Sequence, residues 1–557
     1  MSNSKKSVGL KWPHKAQFVK VLQPVLEKAV AKHNAAMTYG YCPHCGSQKL
    51  TLAGKPPNGG DRNLQRFECK GCSRMTRHPL ARKPEPKVKI KTVMDLPNRF
   101  VFLVTSAQNA TPIHPAFWEN LLAYREFRKA RLSVVPLRYR NPTSIWSTNQ
   151  TNDEWWTKTL HPYLFAGRKL LGPGIMLMGD VKTQVASPNP LGGYDSLSGP
   201  NSAIFGHPQI ALKSVATPQN RTPKIITTTG ACTIKNYNSG GAGIRGDFHH
   251  SFGATVVEVD GDWFTLRQIV AKEDGSFIDR EFAVADGKVT KAPPAEGVTM
   301  GDTHEWFKDP DVIKGTFGKG GLVPTLRPKR LFWHDLLDGF TVDHHHQGNP
   351  FIALAKRLGD MFDVRKEVTD AVRFVLSSTP PGVESVIIAS NHTDHLSRWI
   401  RESDWRSLDP DNMVFYLETA LAMAAGTKMK TQATSTPDPF EYWFDRIWEE
   451  HATKGSFRCL GRDESYSVQG VEYTFHGDKG ANGAKGSRAA YSRIGTKTNI
   501  GHAHSPGITE GCYQAGTNSY LRLEYNAGLS GWMHTDVVQY ANGKRSLIFF
   551  SGKRWRL

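Results

Sequence analysis

Short apolar runs in the second half of the chain each end just before a residue that can bind a metal. Three of these pairs are Leu331–Trp333 before Asp335, Val386–Ala389 before Asn391, and Tyr473–Phe475 before His476. Apolar runs of this length predict buried parallel strands. Because open α/β sheets bind ligands just outside the carboxyl ends of their strands, we expect these strand ends to meet at one crevice.

The pattern ahead of these runs predicts an accessory α/β region with β hairpins. Apolar residues at 100–105 predict a strand, those at 117–131 a helix, and those at 132–135 a second strand. Residues 253–292 alternate β-forming runs with Asp-Gly turns, which is typical of hairpins. After His504 the pattern again predicts strands, at 521–525, 536–540 and 547–550.

These patterns divide the 557 residues into five segments. They are a basic N-terminal helix at 1–36, a zinc ribbon at 37–80, a linker at 81–96, the accessory α/β region at 97–295, and a catalytic α/β domain at 296–557. Hydrophobic residues make up 39% of the chain, but no apolar run approaches the 18 or more residues of a membrane span. The first residues lack the apolar core of a secretion signal, so we expect a cytoplasmic protein.

Four of the seven cysteines form two Cys-x-x-Cys pairs, Cys42 with Cys45 and Cys69 with Cys72. Two such pairs separated by 23 residues are typical of a zinc ribbon, and four thiolates close the coordination sphere of a structural Zn²⁺. The alternative to a ribbon that contacts nucleic acid or another protein is a module that only stabilises the fold.

Net charge is +20, and residues 1–100 carry 20 Lys and Arg against 5 Asp and Glu, which is +15 of it. A basic segment attached to a nearly balanced body favours a polyanion partner, here DNA. The alternative is a solubilising tail without a ligand.

Seven residues form the predicted metal site: Asp302, His304, Asp335, Asn391, His476, His502 and His504. Residues i and i+2 of an extended chain point the same way, so Asp302 and His304 can reach one metal. His502 and His504 can divide between two metals. Mixed oxygen and imidazole ligands suit manganese, iron or zinc better than magnesium or calcium, and we expect two ions, with Mn²⁺ preferred.

Two further roles follow from this arrangement. Asp335 is expected to bridge the metals, and His392 to act as the general acid for the leaving oxygen. Asp338, Asp394 and His344 are expected to contact the ligands rather than the metals. The alternative for the His344–His346 run is a solvated loop.

The ligand motifs at 301–304, 334–338, 390–394, 475–478 and 501–504 resemble those of the calcineurin-like metallophosphoesterase superfamily, over residues 296–557. The resemblance implies an α/β/β/α sandwich. The sequence departs from the family at His334 and Ser390, where the family has glycine. The whole chain also resembles the pre-early DNA-transfer nucleases of large tailed phages.

The leading hypothesis is therefore a phage-encoded, two-metal DNA phosphodiesterase that degrades host DNA and takes part in phage DNA transfer in the host cytoplasm. One alternative is a small-molecule phosphatase or cyclic-nucleotide phosphodiesterase. The other is a DNA-binding transfer protein with a vestigial metal site. A second copy of the chain or another phage protein is a further candidate partner.

Overall fold

The computed structural model describes residues 50–52, 64–79, 99–139, 155–218, 220–426, 428–430, 433–435, 438–451, 455–523 and 525–557. The predicted helix at 1–36, the linker at 81–96, Cys42 and Cys45 lie outside the described residues. The chain divides into two compact units, Met1–Asp95 and Leu96–Leu557.

The strands are numbered in chain order. They are β1 (Leu50–Leu52), β2 (Leu64–Cys69), β3 (Met75–Pro79), β4 (Arg99–Gln108), β5 (Arg131–Leu137), β6 (Arg168–Gly172), β7 (Ile175–Met178), β8 (Ser202–Phe205), β9 (Leu212–Val215), β10 (Lys224–Thr228), β11 (Gly253–Asp260), β12 (Trp263–Val270), β13 (Phe277–Asp279), β14 (Phe282–Ala285), β15 (Lys288–Lys291), β16 (Gly297–Thr299), β17 (Arg330–Trp333), β18 (Glu384–Ile388), β19 (Lys428–Lys430), β20 (Ala433–Ser435), β21 (Ser456–Leu460), β22 (Ser467–Val468), β23 (Val471–Glu472), β24 (Lys497–Ile500), β25 (Gly507–Thr509), β26 (Cys512–Gln514), β27 (Thr535–Gln539) and β28 (Arg545–Phe549).

The α-helices of the described residues are numbered in the same way. They are α1 (Pro115–Arg128), α2 (Gly241–His249), α3 (Pro310–Phe317), α4 (Leu322–Leu326), α5 (Pro350–Leu358), α6 (Val364–Ser378), α7 (Asn391–Glu402), α8 (Trp405–Leu408), α9 (Met413–Gly426), α10 (Pro439–His451) and α11 (Arg488–Tyr491). Among the described residues, no helix combines the length and the apolar character needed to cross a membrane.

The first unit contains an antiparallel sheet of β1, β2 and β3. The turn between β2 and β3 carries Cys69, which is buried, and Cys72, which is half-buried. Within this turn the N–H of Gly71 donates to Sγ of Cys69 over 3.3 Å. Because the other cysteine pair lies outside the described residues, the zinc ribbon stays a prediction.

A six-stranded sheet of order β21-β18-β17-β16-β27-β28 forms the centre of the second unit. The strands β16, β17, β18 and β21 run parallel, β27 is antiparallel to β16, and β28 is antiparallel to β27. The apolar runs before Asp335 and Asn391 are therefore parallel strands, as predicted. The run before His476 is not, because β23 ends at Glu472 and residues 473–475 only follow it.

A ten-stranded sheet of order β22-β23-β24-β26-β25-β9-β10-β8-β7-β6 joins the two halves of this unit. The pairing of β9 with β25 links strands from the predicted accessory region to strands from the predicted catalytic domain. The boundary placed at residue 296 therefore cuts through one sheet and one compact unit. The predicted accessory region also contains a four-stranded sheet, β12-β11-β4-β5, with β4 and β5 parallel, and a three-stranded sheet, β13-β14-β15.

The six-stranded sheet is buried on both faces. Leu331 and Trp333 pack in a core with residues of α3, α4, α6, α7, α9 and α10. Phe332, between them, points to the other face and stacks on Tyr473 beside β23 of the ten-stranded sheet, with ring centroids 3.7 Å apart. Neighbouring strand residues face opposite sides, so burial on both sides explains the continuous apolar runs. The fold is thus mixed α/β, with a helical layer on one face of this sheet.

The Asp-Gly turns of the predicted hairpins form as expected. The Asp260–Gly261 turn joins β11 to β12, and the Asp286–Gly287 turn joins β14 to β15. Of the strands predicted after His504, two are observed as β27 and β28. The described part of 521–525 is not a strand.

Candidate metal centre

The predicted crevice lies at the ends of strands from two sheets. Asp302 and Asp335 follow β16 and β17 of the six-stranded sheet, and Asn391 begins α7 shortly after β18. His476 follows β23 and His502 follows β24 in the ten-stranded sheet. Each sheet therefore supplies part of the predicted ligand set.

Four of the predicted ligands have a left-handed backbone. The angle φ is +41° at His304, +39° at Asp335, +73° at His502 and +53° at His504. This conformation costs a non-glycine residue about 1–3 kcal/mol and is concentrated at functional sites. The surrounding fold holds these residues against that cost, which favours a functional role for their positions.

Asp302, His304, Asp335 and His504 form a first group of buried side chains. Nε2 of His504 lies 2.9 Å from Oδ2 of Asp302 and 3.1 Å from Nε2 of His304. Nε2 of His304 lies 3.8 Å from Oδ2 of Asp335. Ligand atoms bonded to one ion at about 2.1 Å lie roughly 3.4 Å apart in a tetrahedral site. These atoms therefore have the spacing of one metal site.

Asp335, His476 and His502 form a second group. Nε2 of His476 lies 3.1 Å from Oδ2 of Asp335. Nδ1 of His502 lies 3.2 Å from Oδ1 of Asn391, which adds an amide oxygen to this group. The structure thus brings all seven predicted ligands together, and it places His502 and His504 in different groups.

Asp335 belongs to both groups, and its environment fits a bound cation. Oδ1 of Asp335 and Oδ1 of Asp302 are buried and have no hydrogen-bond partner among the described residues. Burying an uncompensated carboxylate is strongly unfavourable. Two divalent ions would supply the missing positive charge, and the oxygen and imidazole atoms present suit manganese, iron or zinc. The residues of this centre are therefore compatible with metal binding.

The charged groups of the centre shift one another's pKa values. Burial alone would raise the pKa of Asp335, but the imidazoles of His476 and His392 outweigh burial and hold this pKa well below its usual range. Burial would lower the pKa of His392, but the carboxylates of Asp335 and Asp338 outweigh it and raise this pKa to about 9. At neutral pH the metal-free centre therefore holds a charged carboxylate beside an imidazolium.

Asp338 contacts His304, one of the predicted ligands. Its Oδ1 accepts a hydrogen bond from Nδ1 of His304 over 2.6 Å. Its main-chain oxygen accepts a second bond, from Nδ1 of His392, also over 2.6 Å. One residue therefore orients a predicted metal ligand and the predicted general acid.

Two other residues predicted to support the ligands lie elsewhere. Asp394 accepts hydrogen bonds from Arg462 over 2.9 Å and from Lys479 over 3.2 Å, because these cations attract its carboxylate towards the end of β21. His344 packs against His345 and His395, with ring centroids 3.9 and 5.2 Å apart. For neither side chain do the described contacts include a predicted metal ligand.

Arg462 connects two segments of the chain, a role that the sequence did not indicate. Besides Asp394, its guanidinium donates to Oδ1 of Asp478 over 2.6 Å. Arg462 thereby joins the first turn of α7 to the segment that carries His476. Its partners lie 16 and 68 residues away in sequence, so no local spacing could have indicated it.

His334, where the resembled family has glycine, packs against a predicted ligand. It is fully buried, and its Nδ1 lies 3.2 Å from Nδ1 of His476. Burial lowers the pKa of His334 to about 3, so the neutral ring can accept a hydrogen bond from Nδ1–H of His476 and leave Nε2 of that ring facing Asp335. Gly501 provides the room, since a Cβ there would lie 2.9 Å from Cγ of His334 and 2.2 Å from Oδ1 of Asp302.

Comparison with known proteins relates the chain to a phage protein. It is similar to Protein A1 of Escherichia phage T5, with 29% identity over 466 residues that cover 82% of each chain. No family model and no solved structure matches the chain. The geometry of the predicted ligands is therefore the main evidence on its chemistry.

Proposed function

We propose that this protein is a two-metal phosphodiesterase that hydrolyses DNA. The observation that carries the proposal is the position of Asp335, which belongs to both groups of potential ligands. A carboxylate shared by two metals holds them about 3.5–4 Å apart, the separation used for in-line phosphoryl displacement. Bound there, the metals would supply Lewis-acid activation of the phosphoryl group and of water.

The residues of the chain supply the remaining functions. Asp302, His304 and His504 would hold one ion, and Asn391, His476 and His502 the other. His392 would protonate the leaving oxygen through Nε2, because its Nδ1 already donates to the main chain of Asp338. In the metal-free centre the carboxylates of Asp335 and Asp338 favour the protonated ring and raise the pKa of His392 to about 9.

Three features support DNA as the substrate and a phage context for the reaction. The basic first hundred residues suit a polyanion. The similarity to a phage protein suits a phage context, in which we propose a role in host DNA degradation and phage DNA transfer. The six-stranded and ten-stranded sheets face each other through Phe332 and Tyr473, and with the helical layer on one face they correspond to three of the four layers of the α/β/β/α sandwich of the metallophosphoesterases. We further propose Mn²⁺ in the centre and one structural Zn²⁺ on Cys42, Cys45, Cys69 and Cys72.

The test compares wild type, Asp335→Asn and Asp445→Asn on linear and circular DNA. Asp445 is an exposed carboxylate on α10 and serves as the matched control. We expect Mn²⁺ to restore activity to wild type and to the control after chelation. Asp335→Asn should be inactive and should bind less metal, because the shared charge is gone. Full activity of purified Asp335→Asn would overturn the proposal.

The same assay separates the alternatives. Hydrolysis of bis-p-nitrophenyl phosphate by wild type without DNA cleavage would indicate a small-molecule phosphoesterase. DNA binding without hydrolysis of either substrate, with any metal, would indicate a transfer protein. Cleavage of linear but not circular DNA would identify an exonuclease within the proposed function.

A further inference from the structure

A second cluster of potential ligands lies beside the metal centre but shares no residue with it. It consists of Asp343, His344 and His395, which we call the His395 cluster. Each residue offers one ligand atom, and these atoms all lie within 4.8 Å of one another. Asp343 and His344 come from the segment before α5, whereas His395 lies on α7. The cluster therefore joins two elements that are 50 residues apart in sequence.

We propose that the His395 cluster binds an additional divalent transition-metal ion. Two imidazoles and one carboxylate form a ligand set that suits zinc, iron, cobalt or manganese and leaves positions open for water. Bonds of about 2.1 Å place ligands roughly 3.4 Å apart in a tetrahedral site. The upper limit of 4.8 Å on the separations in the cluster exceeds that spacing by about 1.4 Å.

His395 has the properties of a ligand ready to bind. The residue is 9% exposed, and its Nδ1 is buried without a hydrogen-bond partner among the described residues. A buried polar atom of this kind is unfavourable unless something fills its place. Burial also lowers the pKa of His395 to about 4, so its ring is neutral at physiological pH and has a lone pair to offer.

His344 supplies the second imidazole. Its Nδ1 is buried and unpaired and lies 3.8 Å from Oδ1 of Asp343. Its Nε2 lies 3.4 Å from Nη1 of Arg398. Metal binding through Nδ1 leaves the proton on Nε2, so Arg398 has to turn away. Glu402 is the nearby acceptor for that turn, since its carboxylate lies 3.9 Å from Nε of Arg398.

The position of the cluster indicates what a bound ion would do. The rings of His395 and His392 have centroids 5.1 Å apart, and both residues lie on the first turns of α7. An ion on the His395 cluster would attach the loop at 343–346 to the helix that carries Asn391 and His392. It would stabilise the wall of the proposed active site without belonging to the two-metal centre.

The test measures bound Zn²⁺ after equilibrium dialysis, as differences between variants. The variants are His395→Ala and His344→Ala, and the matched control is His345→Ala, an exposed histidine of the same loop outside the cluster. We expect each cluster variant to lose one equivalent of zinc per chain, because a site with two remaining ligands binds weakly. The control should keep its zinc.

A second comparison, made within the Asp335→Asn variant, makes the result independent of the proposed function. Asp335→Asn disturbs the two-metal centre but leaves all three cluster residues in place. Adding His395→Ala to Asp335→Asn should remove one further equivalent of zinc and the zinc-dependent rise in thermal unfolding temperature linked to it. Unchanged zinc content in both cluster variants, with folding verified by circular dichroism, would overturn the inference. Equal zinc loss in the His345→Ala control would overturn it as well.

Discussion

His304 donates a hydrogen bond from Nδ1 to Oδ1 of Asp338 over 2.6 Å, within the buried centre. The bond fixes the tautomer of the ring, so Nε2 carries the lone pair and faces Asp302, Asp335 and His504. Carboxylates placed behind a metal-binding histidine in this way orient the ring and increase its basicity. Asp338 therefore supports the proposed first metal position through His304.

We expect Asp338→Ala to weaken metal binding at the first position by roughly 10–100-fold, because His304 loses its fixed tautomer and orientation. Metal titration followed by calorimetry measures the effect. Asp370→Ala is the matched control, since Asp370 also accepts a bond from a ring N–H, that of Trp306 over 2.9 Å, away from the centre. Equal metal affinities of the two variants would contradict the role of Asp338.

His392→Ala should slow DNA hydrolysis by about 10²–10⁴-fold while both metals stay bound, because a positioned general acid contributes that much. The loss should be much smaller with bis-p-nitrophenyl phosphate, whose leaving group departs without a proton. Steady-state kinetics on the two substrates measure the difference. If both substrates lose activity equally, His392 serves another purpose, such as holding Asp338.

Asp536 should make the stability of the metal-free protein fall as pH rises. Burial raises its pKa to about 7, although the N–H of Gly301 and Nδ2 of Asn518 donate to Oδ1. A carboxyl whose pKa is raised on folding contributes stability that is complete below pH 3.8 and is lost as pH rises through 7. The shift corresponds to roughly 4 kcal/mol. Asp536→Asn keeps both bonds and carries no charge.

The measurement for Asp536 is denaturant unfolding in the presence of a chelator between pH 4 and pH 8. Wild type should lose more stability than Asp536→Asn over this range, and the variant should be the more stable protein at pH 8. Parallel pH profiles of the two proteins would show that Asp536 keeps its charge in the fold.

A chain that begins near Val93, just before the compact unit Leu96–Leu557, should keep activity on bis-p-nitrophenyl phosphate. It should bind long DNA more weakly and with a shallower salt dependence, because residues 1–100 carry +15 of the +20 net charge. Log affinity falls with log salt by about 0.9 per phosphate contacted on duplex DNA. Filter binding at several salt concentrations measures this slope. An unchanged slope would assign the basic segment to another partner.

Local features could be predicted from the sequence because they depend on neighbouring residues. The apolar runs before Asp335 and Asn391 predicted strands that are buried on both faces, as observed for β17 and β18. Asn before proline is typical of a helix start, and Oδ1 of Asn349 accepts bonds from the N–H groups of Phe351 and Ile352. The types and spacing of the seven potential ligands likewise belong to short segments.

Other features depend on segments that meet only after folding. The pairing of β9 with β25 joins residues 212–215 to residues 507–509. These strands lie on opposite sides of the boundary predicted at residue 296, so one sheet spans that boundary. No periodicity in either segment indicates its partner, because strand pairing depends on which edges the rest of the fold leaves open. The tie from Arg462 to Asp394 and Asp478 is equally non-local.

The sequence by itself determined which potential ligands follow the strands. The tertiary structure decided which of them lie in each of the two groups. The spacing of His502 and His504 allowed both to reach one ion or each to reach a different one. The left-handed backbone at both residues, together with His304 on one side and Asn391 on the other, places them in separate groups. Side-chain direction depends on backbone angles that the packed sheets impose, and those angles are a property of the whole fold.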